Sequence, residues 1–528
     1  MMCKLDIIEE MKNIPEKSSN ESLIEYTERL TDWYLDRTSP DYRKKRGQFF
    51  TPGPISSFMV MQYQDIYKKN EIRILDTGAG VGILESAFCE YLLSLGKKIN
   101  VFFTLYENDE NLFLLLKKNM SICKRIMADT DSHISYRIIN EDFILSSTLN
   151  YNNNDGNSEI NYDLILSNPP YYKLNGHNSY ITETKNILKR HPNIYSLFMT
   201  LSAMQLNNEG QMVIITPRSY CSGLYFKEFR KWFFSIMKPL KIHVFNSRSD
   251  VFKKYDVLQE NLILTAKKSL TNPEKVSVTV SDGIFKKDET LKVINTTYDF
   301  LFIKRNDDII LRIPTSEMGK SIALQLDNYN NTFSTLGFNV STGPVVPFRT
   351  IKNLVNSKKY GENYVPLIWM HNINNGKVIL TNSKSNKPSY ILRTPETEKL
   401  LLNNGNYVLI KRFSTKEGKK RICSGVFLER FLYAEKIGIE NHVNYVYKNN
   451  NNMTEDEALG ITAILNSDLY NEYFQMENGS TQVNANDLKN IPLPPIEKIR
   501  KIGKLIIENE NYKEFKSENI VEKELKYI

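Results

Sequence analysis

The sequence predicts an α/β fold, a Rossmann-like sheet with helices on both faces, followed by a C-terminal α+β half. Three observations carry this. Apolar runs ending in glycine or polar residues alternate with helical spacing between positions 72 and 265. The run Ile72–Asp76 enters a glycine-rich turn, Gly78-Ala79-Gly80-Val81-Gly82, that opens a helix at Ile83. Beyond Ser269 the strands become shorter, with polar turns, two later helices and no second glycine turn of this kind.

The elements follow in order. Residues 6–42 alternate acids and bases around the apolar stripe Leu23, Ile24, Tyr26, Leu30, Trp33 and Tyr34, which reads as helix packed on the next domain. After the glycine turn, the strand Val101–Tyr106 ends on Glu107, and Ser135–Ile139 leads into Asp142 and Phe143. Tyr162–Leu166 is a buried strand that ends in Asn168-Pro169-Pro170-Tyr171. Residues 150–161 are Asn-rich and form a solvated insertion. Gly210–Pro217 and Val257–Thr265 are later strands, and Phe229–Phe234 lies on a helix with one basic face. Domain divisions are expected at 1–45 for the helical segment, 46–268 for the sheet domain, 269–334 for an intermediate region and 335–528 for the C-terminal domain.

The strand ends carry the chemistry, because open α/β sheets bind ligands at the carboxyl ends of their strands. The spacing of Gly78, Gly80 and Gly82 is not the dinucleotide pattern, and no Lys-Ser or Lys-Thr pair makes a phosphate loop. A phosphate-free adenosine cofactor fits better, with Asp76 holding its amino-acid end indirectly and Glu107 holding ribose hydroxyls. Asp142 can accept from an adenine amine while Phe143 packs on the ring. Taken singly, Glu107 and Asp142 also read as solvated strand-end acids.

An exocyclic amine is a poor nucleophile because its lone pair is delocalised. The side-chain carbonyl of Asn168 and the backbone carbonyl of Pro169 can both accept from one NH2 and free that pair. Pro169 and Pro170 stiffen the turn, and Tyr171 offers a ring to stack on a flat substrate. The bland alternative is a proline turn with no chemistry.

Taken together, these residues resemble the gamma class of adenine-N6 DNA methyltransferases. Gly47-Gln48-Phe49-Phe50-Thr51-Pro52 precedes the glycine turn, and the later motifs follow in that class's order. The strings Thr216–Gly223, Val257–Asn261, Ser341–Val346 and Lys411–Ser414 are similar to the PstI/BsuBI-like restriction-modification methylases, with an Eco57I-type methylase domain. The resemblance runs from about Arg43 to Pro495. It implies S-adenosyl-L-methionine as cofactor, contacted by Thr51, Asp76, Gly78, Ala79, Gly80, Glu107, Asp142, Phe143 and Asn168. It implies double-stranded DNA as partner, with Asn168, Pro169, Pro170 and Tyr171 gripping a flipped adenine and Phe252 on its second face. Phe252 also reads as one buried ring on a surface strand. The C-terminal half becomes a target-recognition domain, in which Lys411 and Arg412 suit phosphates and Gln482 and Asn484 suit base edges or phosphates. These two segments read equally as a solvated basic hairpin and a polar loop.

Other observations bound the reading. The chain has 528 residues, 41% hydrophobic, and a net charge of +8, compatible with nucleic acid. Its five cysteines are scattered without pairs, which argues against a zinc site or disulfide framework, and its six histidines show no ligand spacing. No stretch approaches the roughly 18 apolar residues of a membrane span, so no membrane partner and a cytoplasmic location are expected. Pro40-Asp41 lacks a nuclease partner motif, so any cognate endonuclease is expected on a separate polypeptide. Two alternatives to DNA methylation stand beside it: a protein glutamine methyltransferase, which also uses Asn-Pro-Pro-Tyr, and a non-catalytic DNA-binding subunit that keeps the fold.

Overall fold

The computed structural model describes residues 13–153, 161–174, 179–185, 187, 193–246, 260–285, 291–305, 307–356, 363–380, 386–413, 420–449, 453–478, 482–508 and 517–525. It divides into two compact units, 1–315 and 316–528.

In the first unit, α1 (Leu23–Arg37) starts where Ser22 and Glu25 cap each other reciprocally, Glu25 N donating to Ser22 Oγ and Ser22 N to Glu25 Oε2. Its apolar stripe is buried at Leu23, Tyr26, Leu30 and Tyr34. The chain then forms α2 (Pro40–Arg46), α3 (Gly53–Met61), β1 (Glu71–Asp76), α4 (Ile83–Leu95), β2 (Asn100–Tyr106), α5 (Glu110–Ala128), β3 (His133–Ile139), α6 (Phe143–Asn153) and β4 (Tyr162–Ser167). After these come α7 (Ser179–Glu183), α8 (Ile194–Met204), β5 (Leu206–Pro217), α9 (Lys227–Ile236), β6 (Met237–Phe245), β7 (Asn261–Lys268), β8 (Val276–Ser281) and β9 (Lys292–Thr296).

The nine strands form one sheet in the order β3-β2-β1-β4-β5-β7-β6-β8-β9. Strands β1 to β5 pair in parallel, and β7 runs antiparallel between β5 and β6. All six residues of β4 are buried, as a central strand covered on both faces requires. From β1 the chain winds outward through β2 and β3, and β4 then begins the other half. The carboxyl ends of β1 and β4 are therefore neighbours with connections leaving in opposite directions, which opens a crevice. The first Rossmann-like half and its helices match the α/β class expected.

Strands β8 and β9 lie in the stretch that the sequence reading sets aside as intermediate, yet they extend the same sheet. Val276–Ser281 hides this because its polar residues alternate with the buried Val276 and Val278. The basic face expected around α9 is partly internal. Arg230 is fully buried, with its guanidinium on Asp308 and on the carbonyls of Tyr220, Gly223 and Ile309.

The second unit has a six-stranded sheet, with Tyr407–Lys411 between Val443–Lys448 and Ser424–Phe427, and a five-stranded sheet around Tyr364–Ile368. It holds more helices than the two that the sequence reading expects. Glu317–Leu326, Asp468–Glu477 and Glu518–Leu525 join the two long helices Glu455–Asn466 and Ile496–Glu508. Those two cross where each has a glycine. A Cβ at Gly460 would lie 2.0 Å from the carbonyl oxygen of Ile499, and one at Gly503 would lie 1.9 Å from that of Asp456. Backbone cannot yield as a side-chain tip can, so Gly503→Ala is expected to destabilise the second unit by about 1–3 kcal/mol or more, as overpacked sites do. Chemical denaturation checks this, and an unchanged midpoint would refute the close crossing.

Candidate active site

A cavity of about 350 Å³ lies at the carboxyl ends of β1, β2, β3 and β4, within the size range of small-ligand sites. Its floor is the turn after β1. Asp76 is buried and accepts from Gly78 N at 3.0 Å. Gly80, at φ +59°, donates its N–H to Glu107 Oε2 at 2.9 Å, and Ala79 donates to the carbonyl of Tyr106. Gly82 has φ +85°, and a Cβ there would sit 2.9 Å from Asn119 and Leu116. At Gly78, by contrast, a Cβ would meet nothing within 4 Å. The turn thus offers a ligand bare backbone beside open space.

Three carboxyls surround this turn. Glu85, fully buried on α4, is pushed well above the usual range by burial and then by the neighbouring charge of Asp76. Asp76 is itself pushed up to about 6 by burial, which the Gly78 N–H partly opposes. Burial and the charge of each on the other both oppose ionising the pair together. Glu107 is pushed up to about 8 by burial, although two backbone N–H groups, those of Asp109 and Gly80, favour its charged form. Desolvation wins because the side chain is buried, with little exposure even where it borders the cavity.

The adenine end expected from the sequence is assembled from β3 and α6. Phe143 packs edge-on against Tyr106 at 5.2 Å and is tilted against Phe198 at 5.3 Å. Asp142 caps α6 through Leu145 N at 3.0 Å, and its Oδ2 accepts the hydroxyl of Tyr180 at 2.5 Å. Tyr180 therefore holds the oxygen assigned to an adenine amine.

Opposite lies the end of β4. Asn168 Nδ2 donates to the carbonyl of Phe49 at 2.7 Å and to Thr51 Oγ1 at 3.0 Å. Both donor hydrogens are thereby spent on the Gly47–Pro52 strap, which fixes the amide plane. The Asn168 carbonyl oxygen accepts from the Tyr171 hydroxyl at 2.6 Å, and that hydroxyl also lies 3.0 Å from the carbonyl of Ile215. Gly47 makes the strap possible. At φ +65° its hypothetical Cβ would be 2.8 Å from Tyr171 N, whose N–H donates to Gly47 O.

Thr51, Asp76, Gly78, Ala79, Gly80, Glu107, Asp142, Phe143, Asn168 and Pro170 all line this one cavity. Pro169 is buried in the turn. Tyr171 stands apart from its expected arrangement: its ring is 6% exposed and stacked on Phe49 at 5.6 Å. It is not an open platform, because Phe49 covers its face. Phe252 lies outside the described residues. Lys411, Arg412, Gln482 and Asn484 belong to the second unit. Arg412 Nη1 donates to the carbonyl of Asn441, and Asn484 is spent on a capping box with Asp487. The two segments are adjacent, Val483 N donating to Arg412 O at 2.8 Å.

The sequence reading missed Tyr180, Tyr172, Phe49 and Asp109. Asp109 accepts from Tyr34, Tyr42 and Gln48 at 3.1, 2.9 and 3.2 Å and caps α5. Its position two residues after Glu107 and one before a helical run was the available signal.

Comparison with known proteins adds to this geometry. Residues 89–252 match the model of the Eco57I restriction-modification methylase family. The chain is 33% identical to the type II methyltransferase M.PstI of Providencia stuartii, over 89% of this chain and 90% of that one. It is also 33% identical to the type II methyltransferase M.BsuBI of Bacillus subtilis, over 88% and 91%. The structure of the type IIL restriction-modification enzyme MmeI, in complex with DNA, has the same fold with a TM-score of 0.55 at 10% identity, covering 97% of this chain and 71% of that one. Full-length similarity of this kind, together with an amide and a glycine turn facing one crevice, makes the chain a member of the type II methyltransferase family of restriction-modification systems.

Proposed function

We propose that this methyltransferase transfers a methyl group from S-adenosyl-L-methionine to N6 of an adenine turned out of duplex DNA. The observation that carries the reading is the tethered amide of Asn168. With both its hydrogens held by Phe49 and Thr51, the carbonyl oxygen is the only group it can offer a ligand, and an amide oxygen has two lone pairs. One takes the Tyr171 hydroxyl, and the other is available to an amine.

The cavity fits the cofactor in its donor set. Gly78 opens onto free space, Glu107 suits ribose hydroxyls, and Phe143 supplies an apolar wall. When bound, the cofactor supplies an electrophilic methyl carbon on its sulfonium. The chain's own residues do the rest. The Asn168 oxygen and the Pro169 carbonyl accept from the substrate NH2, draw it towards tetrahedral geometry and free its lone pair. Binding at the β1/β4 crevice brings the two reactants together, which replaces a bimolecular encounter by an oriented one. The amine loses its proton after alkylation, so no side chain need act as base beforehand. Asp142 accepts an adenine amine only if the Tyr180 hydroxyl shares or gives up its oxygen. Tyr171 stacks on a base only if its ring leaves Phe49. DNA as the partner is supported by the family and by the net charge of +8. Among the described residues no helix is long and apolar enough to cross a membrane.

Incubation with methyl-labelled cofactor and unmethylated genomic DNA, followed by digestion to nucleosides, is expected to put the label in N6-methyldeoxyadenosine. Label in cytosine, or in glutamine of added release factor, would overturn the assignment. Asn168→Ala is expected to lower turnover by about 100-fold or more, the usual cost of a lost transition-state acceptor or donor. Its cofactor affinity, read by calorimetry, should stay near wild type. The ionised Glu107 is the form that accepts ribose hydroxyls, and it gains population as pH rises through about 8. Cofactor affinity should therefore increase by about tenfold from pH 7 to 9, and Glu107→Gln should remove that increase. A wild-type slope retained in Glu107→Gln would assign the titration elsewhere.

A further inference from the structure

The second unit holds a cavity of about 450 Å³ between the turn Pro347–Arg349, the turn Met370–Asn372 and the corner formed by Glu440, Asn441 and His442. Two features mark it as more than a surface dimple. Phe348 is 75% exposed, with the Arg349 guanidinium 5.4 Å from its ring centroid. A large exposed ring bracketed by a cation suits a flat, anion-bearing partner.

The second feature is a fixed histidine. Glu440 is buried and takes the N–H groups of Met370 and His442 at 3.3 and 3.0 Å, and its Oε2 lies 3.1 Å from His442 Nδ1. The carboxylate fixes the ring through Nδ1, and in the neutral imidazole with its proton on Nδ1 the outward Nε2 is an acceptor, on a side chain that is 49% exposed. Phe413 meets the imidazole edge-on at 5.3 Å, and Arg412 holds the corner through the carbonyl of Asn441. The floor is equally built: Trp369 stacks on His371, and the Lys387 ammonium lies 5.1 Å from the indole centroid.

The charge balance selects the partner. Among the described lining residues Glu440 is the one carboxylate, and three donors already engage it. The turn after Phe348 adds Arg349 and Lys352, and Lys387 stands on the rim. The segments around Lys411 and Gln482 join this corner through the pairing of Phe413 with Gln482. An acidic protein surface would satisfy the cations but would leave the ring and the Nε2 acceptor without a use.

Resting on DNA as the substrate, we propose that this cavity is a base-reading contact of the second unit. Phe348 makes apolar contact at the base edges, as with a thymine methyl, and His442, oriented by Glu440, accepts a hydrogen bond from the exocyclic amine of one adenine or cytosine in the recognised word. Such amines are exposed in the major groove and distinguish these bases from their partners.

The test uses the full chain and short duplexes carrying either the word mapped from methylated host DNA or a scrambled one. His442→Ala is expected to lower the ratio of cognate to scrambled affinity about tenfold, and Phe348→Ala to weaken cognate binding by a similar factor. Calorimetry should show both variants binding cofactor as wild type does, which reports an intact first unit. The inference is overturned if wild type discriminates between the duplexes while His442→Ala keeps the same ratio, or if Phe348→Ala binds the cognate duplex unchanged. A wild-type protein that labels no adenine in any duplex fails the earlier functional reading instead, and that assay is independent of these variants.

Discussion

The site depends on one tether, the two hydrogen bonds from Asn168 Nδ2 to Phe49 O and Thr51 Oγ1. A side-chain amide at a strand end can rotate, and its oxygen and nitrogen exchange places at the cost of a single torsion. Binding both hydrogens to the strap removes that freedom and decides which atom faces a ligand. The strap can reach the turn only because Gly47 has no side chain where it passes Tyr171. The orientation of this amide is thus set by backbone proximity before any ligand arrives.

The same logic explains the crowding of acids around the glycine turn. Asp76, Glu85 and Glu107 are all buried, and burial lifts each of them above its ordinary range. Carboxyls in such surroundings are costly to charge without a partner. A ligand that brings hydroxyls and a cationic centre supplies what they lack. The empty side-chain position at Gly78 leaves the room for it.

Much of this was legible in the sequence, and the misses have physical causes. Strand ends are legible because an apolar run followed by Asp76, Glu107, Asp142 or Asn168 fixes both the element and the place of its polar residue. Pairing order is not, so nothing in residues 276–296 declares that β8 and β9 join the first sheet. Side-chain competition is also invisible in one dimension. Tyr180 takes the Asp142 oxygen, Phe49 covers Tyr171, and Asn484 caps a helix, each through residues distant in sequence or through a local turn. The cations near Lys411 could be seen, but their convergence with Gln482 on one corner required the fold of the second sheet.

Asp109 ties two helices that precede the sheet to the rim of the crevice at the strand ends. The hydroxyls of Tyr34 and Tyr42 and the amide of Gln48 converge on its carboxylate, two residues from Glu107. A minimal catalytic fragment begun at the first strand would strip three donors from an enclosed anion and remove the Thr51 anchor as well. The leading helices are therefore inseparable from the first sheet, and any exchange of modules between relatives has to carry them across together.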